Sequence, residues 1–104
     1  MSKIQAITLQ GWKWFDKKYG NTYFSAQASV LREGASRWED SSQIEFQYGY
    51  GSHWEYEILK KLNSDGVLDV PAQENESPWR YQERTGVAIH RNEAEVKRER
   101  DLYF

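Results

Sequence analysis

Alternating hydrophobic and polar positions predict three β-strands in the first half of the chain. Residues 3–15 are apolar and aromatic, and a turn over residues 16–21 joins them to a second strand as a hairpin. The apolar side of residues 22–31 carries Phe24, Ala26, Ala28 and Val30. This period of two is typical of a half-buried strand. Residues 43–50 alternate in the same way, with Ile44, Phe46, Tyr48 and Tyr50 on one face.

The second half predicts two helices and a short strand. Residues 52–64 carry apolar residues at helical spacing after Ser52-His53-Trp54-Glu55, which fits a capping box. Ser77 as N-cap and Pro78 as the first helical residue predict a shorter helix that Gly86 ends. Val87 and Ile89 then indicate a strand, and residues 92–95 a last helical turn.

This order predicts an α+β fold. We expect a small antiparallel sheet of three to four strands, packed by one main helix and one short helix, in the order β-β-β-α-α-β. Residues 1–104 then form a single domain. Residues 67–77 are a solvated connector whose flexibility the sequence leaves open, and a charged C-terminal tail follows from about residue 95.

Composition adds expectations about the core and the cellular setting. Only 38% of residues are hydrophobic but 15% are aromatic, so we expect the rings to serve mainly as core. The absence of cysteine favours a reducing, cytoplasmic location. No apolar run approaches the roughly 20 residues that a membrane-spanning helix needs. The net charge of −2 lowers the expectation of nucleic-acid binding without excluding it.

Three blocks of sequence carry a resemblance to known proteins. They are Trp14-Phe15-Asp16-Lys17-Lys18-Tyr19-Gly20-Asn21-Thr22-Tyr23, Phe46-Gln47-Tyr48-Gly49-Tyr50-Gly51 and Val96-Lys97-Arg98-Glu99-Arg100-Asp101-Leu102. Together they resemble a group of small proteins of unknown function from bacteriophages and prophages. The resemblance implies a phage-type origin, and it implies no activity and no functional residue.

Exposed aromatic and basic residues are the first candidate binding site. Lys17, Lys18, Tyr19 and Tyr23 surround the hairpin tip, and with Lys13 they predict a small basic-aromatic patch. Trp38 lies in the polar loop of residues 32–42, which we expect to fold back on the body. Tyrosine, tryptophan and arginine dominate interface energetics, so these residues suit binding to a macromolecule.

The strand-to-helix junction is the second candidate site. Tyr50, Gly51, Ser52 and His53 precede or open the main helix, whose N-terminus can hold a phosphate or carboxylate. The junction matches neither a phosphate-binding loop nor a dinucleotide fingerprint. A tight turn whose glycines allow close packing is the favoured interpretation.

The residues favour a binding protein over an enzyme. His53 and His90 have no carboxylate or histidine neighbours at metal-ligand spacing, and no nucleophile elbow occurs. We therefore predict no catalytic residues, no metal and no cofactor. The leading hypothesis is a phage-type protein that binds a host or viral macromolecule, for example in host takeover or counter-defence. A nucleotide or other small ligand at the helix start, single-stranded nucleic acid on surface rings, and a homodimer face stay open.

Overall fold

The structure is a computed structural model that describes residues 3–49 and 53–97. Its elements are β1 (Ile4–Asp16), β2 (Asn21–Arg32), β3 (Glu39–Tyr48), α1 (His53–Ser64), α2 (Pro78–Thr85) and β4 (Ala88–Val96). The four strands form one sheet in the order β3-β2-β1-β4. The α+β class and the order of strands and helices are confirmed.

The sheet is mixed, because its last strand joins it in parallel. β1 pairs with β2, and β2 with β3, in antiparallel fashion. β4 pairs with β1 in parallel, from Ala6 opposite Ala88 to Trp14 opposite Val96. A parallel neighbour requires a long crossover connection. Here α1, the connector and α2 supply it, so the prediction of an antiparallel sheet holds for three strands and not for the fourth.

The hydrophobic core lies between the sheet and the helices. The predicted apolar side of β2 is fully buried there, and Ile7 and Leu9 of β1 share it. The helices contribute Trp54, Ile58, Leu59, Leu62 and Tyr81. Aliphatic residues at alternate strand positions meet helical residues spaced three and four apart, so the central part of this face of the sheet is buried.

Trp54 packs directly against the backbone of β1 at Gly11. A Cβ atom built on Gly11 would lie 2.7 Å from two atoms of the indole ring. The indole Nε1 donates a 2.8 Å hydrogen bond to Glu93 Oε1 of β4. The ring is therefore held in place from its flat side and from its polar end.

The ends of α2 follow the prediction from sequence. The Ser77 side chain accepts a hydrogen bond from the backbone of Arg80, Pro78 opens the helix, and Gly86 ends it in the left-handed region at φ 78°. The capping box predicted for α1 includes Ser52, which lies outside the described residues. α1 itself is described from His53 to Ser64, in agreement with the predicted residues 52–64.

The connector before α2 is bound to both helices. The Tyr81 hydroxyl donates to Val70 O at 2.6 Å, and Arg84 Nη2 donates to Pro71 O at 2.8 Å. Asn63 of α1 accepts from the backbone of Ala72. These bonds define its path between the helices.

Three other predictions from sequence are wrong. Residues 92–95 form no helical turn but extend β4, because each pairs with a residue of β1. The loop of residues 32–42 is shorter, since β3 begins at Glu39. Aromatic rings are not mainly core: among the described residues, Phe24, Trp54 and Tyr81 are the rings under 2% exposed. The helices cover only one side of the sheet, so most of the described rings lie outside the buried core.

Candidate binding surface

The described helices pack on one face of the sheet and leave the opposite face uncovered. We call it the open face. Strand alternation directs every second residue of β1 and β2 towards it, including Trp12, Trp14, Tyr23 and Gln27. The helices pack against the other set of positions. Within residues 3–49 and 53–97, neither helix lies on the open face.

Aromatic rings from three neighbouring strands line one end of the open face. Trp14 stacks on Tyr23 with ring centroids 5.6 Å apart, and Tyr23 stacks on Phe46 at 4.8 Å. Tyr48 meets the Tyr23 ring edge-on at 5.9 Å. We call Trp14, Tyr23, Phe46 and Tyr48 the aromatic ladder. Its outer members are well exposed, with Phe46 at 38% and Tyr48 at 51%.

An irregularity in β3 brings Phe46 and Tyr48 to this face. Opposite β2, the register moves from Ala26–Ile44 to Phe24–Gln47, so β3 contains one extra residue there. Ile44 is consequently buried towards the helices while Phe46 stacks on the open side. The prediction that Ile44, Phe46 and Tyr48 share one face is therefore wrong, and Tyr50 lies outside the described residues.

The orientation of the ladder rings affects what they can bind. β2 lies between β1 and β3, so Trp14 covers one face of the Tyr23 ring and Phe46 covers the other. Single-strand binding proteins stack bases on free ring faces. The middle ring of the ladder has no such face, and it presents an edge instead. This arrangement suits apolar contact with a protein better than base stacking.

A row of uncharged amides crosses the middle of the open face. Gln10 is paired with Gln27 on β2 and with Asn92 on β4, and Gln27 is paired with Gln43 on β3. Amide groups both donate and accept hydrogen bonds. Among the described residues of β1, β2 and β4 on this face, Asp16 is the only one that is an Asp, Glu, Lys or Arg. The open face therefore offers few contacts to a phosphate backbone.

The predicted basic-aromatic patch is only partly assembled. Lys17, Lys18 and Tyr19 are exposed at the β1–β2 turn, where Lys18 Nζ lies 5.3 Å from the centre of the Tyr19 ring. Tyr23 belongs to the ladder instead. Lys13 lies on the helix side, where its Nζ is 3.0 Å from Glu93 Oε1. The tip thus carries two of the three predicted lysines.

Trp38 and the helix start are separate from the ladder. Trp38 directly precedes β3 and is 44% exposed, so the predicted loop packing does not cover it fully.

At the predicted strand-to-helix junction, Tyr50, Gly51 and Ser52 lie outside the described residues. The exposed His53 imidazole lies 3.5 Å from Glu57 and packs edge-on against Phe24. The Phe24 ring also lies so close to Gly49 that a Cβ atom would be 2.4 Å from it. This contact favours the packing interpretation of the junction, with Phe24 as a packing partner of Gly49.

A network of charged groups on the helix side connects β1, β4 and α1, and it was not predicted from the sequence. Burial raises the pKa of Glu93, but hydrogen bonds from Trp54 and Lys13 outweigh it and lower the pKa overall. Arg91 Nε donates to Glu55 Oε1 at 2.8 Å. These residues lie far apart in the chain, so only the β1–β4 pairing brings them together. The network holds ionised partners in place and connects β4 to α1.

Comparisons with known proteins add no relatives. No protein-family model, no curated protein and no solved structure matches the chain. No group of three or more His, Asp or Glu that could hold a metal occurs in the part of the chain that the structure describes. None of the described helices is long and apolar enough to cross a membrane.

Proposed function

We propose that the protein is a non-enzymatic, phage-type binding protein that engages a host or viral protein through its open face. The single observation that supports this most is the aromatic ladder on an uncovered sheet. Exposed apolar patches of this kind mark interaction sites, since an isolated soluble domain gains nothing from leaving large rings in water.

The chemistry of the open face favours a protein as the partner. The ladder supplies ring edges and apolar area, while the amide row supplies groups that can pair with a polypeptide backbone. Interfaces between proteins combine such an aromatic centre with uncharged hydrogen-bonding groups. The exposed turn with Lys17, Lys18 and Tyr19 borders the ladder end and would extend the contact.

Affinity capture with matched variants tests the proposal. Tyr48→Glu adds a charge to the ladder at a 51% exposed ring, and Trp79→Glu adds one to a 65% exposed ring of α2. Wild type and Trp79→Glu should retain the same stoichiometric protein from a bacterial host lysate or from co-expressed phage proteins. Tyr48→Glu should lose at least tenfold of it while its circular dichroism stays unchanged. Capture that depends on Trp79 and not on Tyr48 would contradict the assignment.

Binding of single-stranded nucleic acid is the weaker alternative. The covered Tyr23 ring and the scarcity of cations on the open face both disfavour it. A mobility-shift titration at two salt concentrations separates the two functions, because phosphate contacts are strongest at low salt. We expect no shift at either concentration. A low-salt complex that Tyr48→Glu abolishes would favour nucleic acid over protein.

A nucleotide or other small-ligand site at the Gly49-Ser52 helix start is a further alternative that thermal-shift screening tests. A ligand at 100 times its dissociation constant should stabilise the protein by about 2.7 kcal/mol. We expect no nucleotide to do so, because packing against Phe24 accounts for the close approach at Gly49.

A further inference from the structure

The outer edge of β4 has backbone groups that no other described strand pairs with. β4 is the last strand of the sheet, and β1 lies on its inner side. The Ile89 N–H donates to the side-chain Oε1 of Gln82 at 2.7 Å, so it points away from β1. Backbone direction alternates along a strand, and the N–H and C=O groups of Arg91, Glu93 and Glu95 therefore point outward as well.

The β4 edge lacks two of the features that discourage strand pairing. Natural edge strands are protected by bulges, proline, charged side chains or a covering segment, and β4 carries the charged side chains Arg91, Glu93 and Glu95. β3, the opposite edge, has two register shifts against β2. β4 has no proline, and its register with β1 is unbroken from Ala88 to Val96. This nine-residue strand therefore presents a regular row of backbone groups with which another strand can pair.

We propose that two copies of the chain pair antiparallel through β4, with Asn92 of one copy opposite the partner's Asn92. The two sheets then continue into one sheet of eight strands. This proposal is independent of the function proposed for the aromatic ladder, since it uses the edge of the sheet and not the ladder.

The charges of β4 select this register. With Asn92 at the two-fold axis, Arg91 lies opposite the partner's Glu93, and Glu93 lies opposite the partner's Arg91. Opposite charges across a strand pair stabilise it, whereas like charges destabilise it. Moving the axis to Arg91 or to Glu93 would place like charges face to face. Registers that shift the pairing by an odd number of residues would set outward backbone groups against inward ones.

The charged pair is accessible in the single chain. The Arg91 side chain is 50% exposed and that of Glu93 is 31% exposed. Arg91 uses Nε to bind Glu55, and its Nη2 lies 3.6 Å from the neighbouring Glu93 in the same strand. Guanidinium groups have five N–H donors. Arg91 can therefore keep Glu55 and still reach across to the partner's Glu93.

Gln82 sets the extent of the pairing. In the single chain, the Gln82 side chain accepts a hydrogen bond from the Ile89 N–H. In the dimer, the backbone carbonyl of the partner's Glu95 would replace Gln82 as the acceptor. The central residues Arg91 and Glu93 need no such exchange, so pairing begins there. The amide row would then run through Asn92 into the row of the partner.

Cysteine substitutions test the register, because the chain contains no cysteine. Asn92 and the partner's Asn92 would form a pair without mutual hydrogen bonds, with Cα atoms about 4.5 Å apart. That distance allows a disulfide. Asn92→Cys alone should therefore oxidise to a cross-linked dimer in high yield.

His90→Cys and Ala94→Cys are the matched controls on the same face of the same strand. Residue 90 lies opposite the partner's Ala94, and about 13 Å from the partner's His90 along the strand. Each variant alone should stay mostly uncross-linked, while an equal mixture should form the mixed disulfide. Equal cross-linking of all three single variants, or none in the mixture, would overturn the proposed register.

Molar mass measured without cross-linking completes the test. Light scattering of the wild-type chain should show a mass that rises with concentration from 12.3 kDa towards twice that value. Glu95→Pro removes one outward donor and should lower the dimer fraction, whereas Glu95→Thr keeps the donor and should not. A constant 12.3 kDa at the highest soluble concentration would refute the dimer and leave the ladder function standing.

Discussion

The contact between Gly11 and Trp54 allows a quantitative test of how the helix packs on the sheet. In Gly11→Ala, the new methyl group would lie 2.7 Å from the indole, closer than real Cβ atoms come to any neighbour. The Trp54 indole is fully buried and hydrogen-bonded to Glu93, so it cannot move aside without losing that hydrogen bond. Such overpacking costs ~1–3 kcal/mol.

The net effect is smaller than the packing cost. Replacing glycine by alanine restricts the unfolded chain, which offsets roughly 0.4–1 kcal/mol. We therefore expect Gly11→Ala to lower the free energy of unfolding by ~1–2 kcal/mol, or the Tm by ~5–15 °C for a domain of this size.

Urea denaturation followed by circular dichroism measures the change, and a double variant tests its cause. In a Trp54→Leu background the indole is gone, so Gly11→Ala should cost less than it does in the wild-type chain. An undiminished cost in that background would trace the effect to the strand and not to the ring. Unchanged stability of Gly11→Ala itself would refute the close packing.

Two further predictions concern polar groups. Ser25 Oγ is buried without a hydrogen-bond partner among the described residues, so Ser25→Ala should stabilise the protein by roughly 1 kcal/mol in the same urea assay. Ser29→Ala removes a 2.8 Å hydrogen bond to Asp40 and should not stabilise the protein. Equal effects of the two substitutions would refute the argument. The hydrogen bond from Arg84 lowers the pKa of Glu76 despite the opposing effect of burial. The ionised Glu76 side chain therefore stabilises the folded protein at neutral pH, and this contribution is lost as the pH falls through the lowered pKa. Glu76→Gln should therefore lower the Tm at neutral pH and flatten its decline in acid, whereas the exposed Glu74→Gln should leave the profile unchanged; an unaltered profile for Glu76→Gln would contradict the assignment.

Local signals in the sequence predicted local structure well. The caps of α2 were predictable because Ser77, Pro78 and Gly86 act on their own backbone. The buried side of β2 was predictable because alternation reports burial directly. Both features are set by neighbouring residues, so they need no knowledge of the rest of the fold.

Partner choice between distant segments was not predictable in the same way. Nothing in residues 88–96 alone indicates pairing with β1, and the sequence Asn92-Glu93-Ala94-Glu95 suggested a last helical turn. The extra residue in β3 likewise has no sequence signal, yet it moves Phe46 to the open face. The aromatic ladder therefore emerges only from the sheet, although Tyr23 was a candidate on other grounds.

The pairing of β1 with β4 has a consequence for the order of folding. During synthesis the β1–β2–β3 meander leaves the ribosome first, and its contacts are local enough to form early. The strand that completes β1 on its other side is made only after both helices. Until then the long central strand is itself an unpaired edge, and nascent chains are most vulnerable to misassociation in that interval.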